Sequence, residues 1–149
     1  MRGYVKLITE KAPGKLYIAG EYAVVENGYP AILVALDQFI TCSIEESAAE
    51  VGKIISRQYH NNALQWHRLG EQMVVDNRDN PFSYILSAIK VTEEYARSFA
   101  RELRIFDLHI DSQLDSDSGK KYGLGSSAAV TVATVKALCR FYNLPVTKD

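Results

Sequence analysis

The stretch richest in chemical possibility is Lys120-Lys121-Tyr122-Gly123-Leu124-Gly125-Ser126-Ser127-Ala128-Ala129-Val130. Two lysines lead into a glycine-rich turn, and the turn opens into a strongly helical run. Without a Cβ, Gly123 and Gly125 can take positive φ and let the backbone approach a ligand closely. Ser126 or Ser127 is placed to cap the following helix, whose first N–H groups have no partner within the helix. Those donors, the positive end of the helix dipole and a nearby lysine together suit a phosphate group. A serine hydroxyl in the same place can ligate a magnesium ion carried by phosphates. The stretch reads as a nucleotide-phosphate loop, while a plain turn into a capped helix uses the same residues.

Two named motifs compete for these glycines. Gly123-x-Gly125-x-x-Ala128 fits the dinucleotide fingerprint in its Gly/Ala form. A polar run stands where that fingerprint needs a buried strand, and the acid due about 20 residues later could only be Asp149. The P-loop pattern fails, because Gly14-Lys15 is followed by Leu16 and lacks the earlier glycine. Asp115-Ser116-Asp117-Ser118-Gly119 opens like a calcium loop, but its glycine falls one place early and position 12 is Ser126 instead of glutamate. A solvated acidic loop beside the phosphates explains it better.

A second constellation lies near the start: Ala12-Pro13-Gly14-Lys15-Leu16-Tyr17-Ile18-Ala19-Gly20-Glu21-Tyr22-Ala23-Val24-Val25. Glycines bracket a short strand that carries a fixed cation, Lys15, and Glu21 follows directly. Alone this reads as an edge strand with a surface lysine; beside a phosphate loop, Lys15 becomes a candidate for holding an anion. His60, His67 and His109 are scattered over strand-like segments without triad spacing, and Trp66 reads as sheet packing.

The elements that must position these residues alternate in a way that suits an α+β layer. Val5 to Thr9 reads as a first strand, Lys11 to Gly14 as a break, and Lys15 to Ala19 as a short second piece. Glu21 to Val25 either continues it or forms one helical turn, and Asn27-Gly28-Tyr29-Pro30 is a turn. The apolar run Ala31 to Leu36 reads as a buried strand, with Phe39 to Ile44 resuming in strand fashion. Lys53 to Tyr59, Ala63 to Arg68 and Gln72 to Val75 follow, their polar alternate residues pointing to an antiparallel sheet with one wet face. Asn80 and Pro81 read as cap and first residue of a helix, whose buried face is Phe82, Ile85, Leu86, Ile89, Ala96 and Phe99. Arg104 to Ile110 returns to the sheet. Asp111 to Lys121 is polar. A last helix from Ser127 to Tyr142 turns Ala128, Val132, Val135, Leu138, Cys139 and Tyr142 to the core and ends at Asn143-Leu144-Pro145.

With 149 residues, 47% hydrophobic and 23% charged, the chain has the make-up of one soluble globular domain with a real core. A net charge of -1 offers nothing to nucleic acid or an anionic membrane. Cys42 and Cys139 form no CxxC pair, so neither a metal site nor a disulfide framework is expected. No leader or membrane-length apolar run is visible, and a cytoplasmic address is the default expectation.

Together the two constellations resemble the GHMP kinases, the family named for galactokinase, homoserine, mevalonate and phosphomevalonate kinases. Pro13-Gly14-Lys15 and Gly20-Glu21-Tyr22-Ala23-Val24, with Pro30-Ala31-Ile32, match the first family motif; Gly123-Leu124-Gly125-Ser126-Ser127-Ala128-Ala129 matches the second. Within the family the chain looks most like the bacterial phosphomevalonate enzymes, having Tyr22 after the Gly-Glu pair and Lys121-Tyr122 before Gly-Leu-Gly. The resemblance implies an S5-like amino-terminal domain, mainly antiparallel sheet with two long helices, that binds ATP and Mg2+ and a phosphomevalonate acceptor. It implies that Lys121, Tyr122, Gly123, Leu124, Gly125, Ser126, Ser127 and Ala128 wrap the ATP phosphates, with Ser127 on the metal. Lys15 and Lys121 would reach the transferred phosphoryl group or the acceptor phosphate, and Tyr17, Glu21 and Tyr22 would line the acceptor pocket. The family's catalytic aspartate and third glycine-rich motif lie in a carboxy-terminal portion with no counterpart here. The chain is therefore expected to be an amino-terminal half that needs its partner half in cis or trans, and to be inactive or nearly so alone.

Overall fold

A computed structural model describes residues 6–57, 63–75, 82–115 and 123–147. Six strands, β1 (Ile8–Ala19), β2 (Ile32–Glu46), β3 (Gly52–Ser56), β4 (Ala63–Leu69), β5 (Gln72–Val75) and β6 (Phe106–Ser112), form one sheet in the order β1-β2-β6-β3-β4-β5. All neighbours are antiparallel except β3 and β6, which run parallel. Two helices, α1 (Ser83–Ser98) and α2 (Ser126–Phe141), pack against each other, and α2 lies on β1 and β2.

Strand alternation sets the core. Ile40, Cys42 and Ile44 of β2, Phe106, Leu108 and Ile110 of β6, Ile54 of β3 and Leu64 and Trp66 of β4 are buried, while residues between them face the other way. Their register stacks them, with Cys42 opposite Ile110 and Leu108 opposite both Ile44 and Ile54. Trp66 packs on Phe106 with ring centroids 4.8 Å apart. Such a pair adds about 0.5–1.5 kcal/mol beyond burial alone. Both thiols lie in this core, where burial pushes Cys42 up to about 12 and raises Cys139 too, disfavouring the thiolate form.

A buried ionic hub ties the layers together. Arg68 of β4 grips Glu93 of α1, Nη1 to Oε2 at 3.0 Å, and donates through Nη2 to the Arg104 carbonyl at 2.7 Å. The Tyr142 hydroxyl donates to Glu93 Oε1 at 2.7 Å. Burial and the adjacent Glu93 carboxylate raise the phenol well above its ordinary value, so it stays protonated as a donor. At the sheet's outer edge, Lys136 and Arg140 of α2 donate to the carbonyls of Lys11 and Thr9 and also pair with Glu10. Cationic side chains over an edge strand block pairing with another chain. Among the described residues no helix is long and apolar enough to cross a membrane.

Several expectations change here. Pro13-Gly14 does not break the chain: β1 runs through it with a register shift between Pro13 and Lys15, as an edge strand permits. Glu21–Val25 resolves as a 3-10 turn at Ala23–Val25. Ala31 to Leu36 is not a buried strand. Ile32, Leu33 and Val34 are 62%, 53% and 44% exposed, because β6 joins β2 only from Ile40 onward and leaves the distal β1–β2 hairpin uncovered. Helix α1 begins at Ser83 with Phe82 at the cap position, while Asn80 and Pro81 lie outside the described residues. Its buried face includes Thr92 and Glu93, whereas Phe99 is 41% exposed. Helix α2 buries Leu138, Cys139 and Tyr142 as expected, but Ala129, Ala133, Thr134 and Ala137 are buried too, while Ala128 and Val132 face solvent. Small residues at four-residue spacing let α2 sit close on the strands, and that closeness outweighs the larger apolar bulk of valine.

Candidate functional site

The first turn of α2 and the middle of β1 are built as one piece. Lys15 N–H donates to the Leu124 carbonyl at 2.9 Å. A side chain at Gly14 would place its Cβ 2.5 Å from Leu114 Cδ2 and 2.9 Å from Leu124 O. Glycine at 14 is thus what lets the glycine-rich turn lie directly on the strand. Residues Lys15, Leu16 and Tyr17 pair regularly with Ala35, Val34 and Leu33, between register shifts on either side. Those irregularities aim this short segment independently of the rest of β1.

Helix α2 is entered through Gly125, which sits in the left-handed region at φ 74° and makes no side-chain cap bond. Neither Ser126 nor Ser127 caps the helix, contrary to expectation; both stand inside its first turn. The backbone enters from a positive φ that glycine alone takes without strain, so a serine at the cap position is not needed. The first internal bond is Ala129 N–H to the Gly125 carbonyl, 3.0 Å. The amides of Ser126, Ser127 and Ala128 find no acceptor among the described residues. Nor do the Ser126 and Ser127 hydroxyls, although the Ser127 carbonyl accepts from Thr131 Oγ1 at 2.8 Å. Ser126 and Ser127 are half-buried and Ala128 is exposed.

Lys15 crosses this mouth. Its Cγ and Cε lie 3.0 Å from where a Cβ on Gly125 would stand, and its Nζ sits 3.9 Å above the centre of the Tyr17 ring. The structure therefore brings together Lys15, Tyr17, Leu124, Gly125, Ser126 and Ser127, with Gly123 (φ 72°) at the rim. It does not bring Glu21 or Tyr22 to them: both lie in the exposed turn beyond Ala19, and Tyr22 is 84% exposed. Lys121 and Tyr122 lie outside the described residues. Leu114, the floor beneath Gly14, was not anticipated, since nothing local marks it. The uncovered hairpin was missed too, although its run of apolar residues was visible.

The arrangement can hold a compact polyanion, with three convergent amides, the helix dipole and one ammonium. Among the described residues the Ser127 hydroxyl has no hydrogen-bond partner, and no three His, Cys, Asp or Glu side chains stand together to hold a metal alone.

Comparison with known proteins finds relatives in sequence and in fold. Residues 83–149 match the GHMP kinases N terminal domain. The chain is 37% identical to a phosphomevalonate kinase of Streptomyces sp. (strain CL190), aligning over 97% of its own length and 41% of the relative's. It is 34% identical to a mevalonate kinase of Methanocaldococcus jannaschii, over 93% and 42%. Its fold superposes on the Streptococcus pneumoniae phosphomevalonate kinase in complex with phosphomevalonate and AMPPNP, with a TM-score of 0.74 at 31% identity, covering 94% of this chain and 38% of that one. The chain spans about two fifths of the length of these relatives. In sequence and in fold, it matches the amino-terminal domain of the GHMP kinases.

Proposed function

We propose that the chain is the ATP-binding portion of a kinase that phosphorylates phosphomevalonate to diphosphomevalonate, in the mevalonate route of isoprenoid synthesis in the cytoplasm. One observation carries this reading: the Lys15 stem lies over Gly125, where α2 begins with three amides that have no acceptor among the described residues. Phosphoryl transfer asks for positioning and charge neutralisation more than covalent chemistry, and this mouth offers both. ATP phosphates would lie along Gly123 to Ala128, with Ser127 on the magnesium ion, which when bound shields the charge of the phosphates. Lys15 and Lys121 would hold the transferred group or the acceptor phosphate, and an acceptor that already bears a phosphate makes a second lysine useful. Tyr17, Glu21 and Tyr22 are proposed toward the acceptor.

The same reading gives the exposed hairpin an occupant. Leu16, Ile18, Tyr22, Val25, Tyr29, Ile32 and Leu33 leave the hairpin and its turn with exposed apolar residues, and the relatives carry more than half their length beyond what this chain matches. A carboxy-terminal portion, joined or separate, would cover that surface and bring the catalytic aspartate. The chain alone is then inactive or nearly so.

Calorimetric titration with ATP and magnesium tests the binding half, with Ser127→Ala expected to weaken it at least tenfold. Coupled ADP release tests the rest, with negligible turnover for the chain alone. In a full-length version Lys121→Ala should lower turnover by orders of magnitude, and an unchanged rate would remove Lys121 from the site. The 34% identity to a mevalonate kinase favours one rival acceptor, mevalonate, so both acceptors belong in the assay.

A further inference from the structure

The geometry points to Tyr17 as a positioning residue, whose ring face holds the Lys15 ammonium over the mouth of α2 before any anion arrives. This rests on the phosphate reading above and adds a part to it. The Lys15 stem lies across Gly125, so its ammonium stands at the positive end of the α2 dipole, where a cation is disfavoured. The first turn of α2 contains no acidic residue, and Lys15 has no carboxylate partner among the described residues. A lysine in that field, with four flexible carbons, swings to solvent unless something of opposite sign retains it. The negative face of the Tyr17 ring, 3.9 Å from Nζ, supplies that sign. Lys15 and Tyr17 share one face of the strand at a spacing of two, and the register shifts flanking them fix that face. The ring is neutral, so it retains the cation without cancelling the charge offered to phosphate. A carboxylate there would hold the lysine as well and repel the ligand.

This role separates from acceptor binding through the phenol hydroxyl. A pocket-lining tyrosine needs its O–H, whereas a cation-retaining ring does not. In the 149-residue chain, the ε-methylene protons of Lys15, assigned by their loss in Lys15→Arg, are expected upfield of other lysines by NMR because they lie on a ring face. Tyr17→Phe keeps that shift and Tyr17→Leu abolishes it. Pyrophosphate affinity should stay within twofold for Tyr17→Phe and fall roughly five- to tenfold for Tyr17→Leu, the scale of one cation–ring contact. Should Tyr17→Leu unfold, Tyr17→Ile, a better strand former, serves the same test. A loss in Tyr17→Phe equal to that in Tyr17→Leu assigns the effect to the hydroxyl and overturns the inference. So does a Tyr17→Leu that binds like wild type while Lys15→Met binds weakly. If Lys15→Met itself leaves pyrophosphate affinity unchanged, the phosphate reading fails first and takes this one with it.

Discussion

Replacing Gly125 with alanine attacks the mouth of α2 in two ways that can be measured apart. At φ 74° an L side chain is strained, costing about 1–2 kcal/mol. The new Cβ would also stand 3.0 Å from Lys15 Cγ and Cε and 3.4 Å from Cδ, displacing the stem at about 0.5–1 kcal/mol. Alanine's smaller unfolded-state entropy returns about 0.4–1 kcal/mol. The net loss is about 1–2 kcal/mol, or a fall in Tm of roughly 2–8 °C for a domain of this size. Urea unfolding of Gly125→Ala, Lys15→Ala and the double variant forms a cycle in which only the contact couples. The double variant should recover about 0.5–1 kcal/mol, while the φ strain remains. Gly125→Asn gives an internal control, since asparagine tolerates the left-handed region but still carries a Cβ. Its loss should come mainly from Lys15. A cycle that closes at zero coupling refutes the placement of Lys15 over the turn. A Gly125→Ala that costs nothing refutes the left-handed entry to α2.

Three further outcomes follow from the same coordinates. Glu93→Gln strands the Arg68 guanidinium in a site where both side chains are nearly buried, and should cost about 3 kcal/mol or more in urea midpoint stability. Gly52→Ala drives a Cβ into the Trp66 indole and to 2.5 Å from the Phe106 carbonyl; a loss of at least about 1–3 kcal/mol is expected, with altered near-ultraviolet circular dichroism from the sole tryptophan. Hydrogen bonding from Arg140, with help from Lys136, holds the Glu10 carboxyl below its ordinary value despite partial burial. The stability it adds is therefore full above about pH 4.3 and is lost as pH falls through the lower folded value. Glu10→Gln should remove that acid slope, by under about 1 kcal/mol because the basic partners are half-exposed.

Local chemistry was legible where one residue type does one job. The glycine spacing at 123 and 125, the turn at Asn27-Gly28 and the stop at Asn143, whose φ is 50°, could all be read along the chain. What failed were judgements about what lies across from a residue. Ala31 to Leu36 looked buried because it is apolar, yet burial depends on β6 reaching that far, and β6 stops pairing at Ile40. The α2 face was assigned by bulk, whereas the close approach to β1 and β2 selects Ala129, Ala133 and Ala137. The Pro13-Gly14 pair looked like a break because the group that packs on it, the Leu124 carbonyl that accepts from Lys15 N–H, lies far downstream.

That distant partner also explains why two motifs so far apart in sequence act as one. Gly14 without a side chain lets Leu124 reach the strand, and Gly125 without a side chain lets Lys15 reach back over the turn. Each glycine removes the obstacle to the other segment's contact, so neither motif has its shape without its counterpart. The pairing has an electrostatic consequence. A lysine pressed against the positive end of a helix is an arrangement no folding force favours by itself. It persists here because backbone packing at Gly14 and Gly125 and the ring of Tyr17 hold it there. Under the proposed function, a positive mouth held in this way serves a polyanion more than the domain's own cohesion.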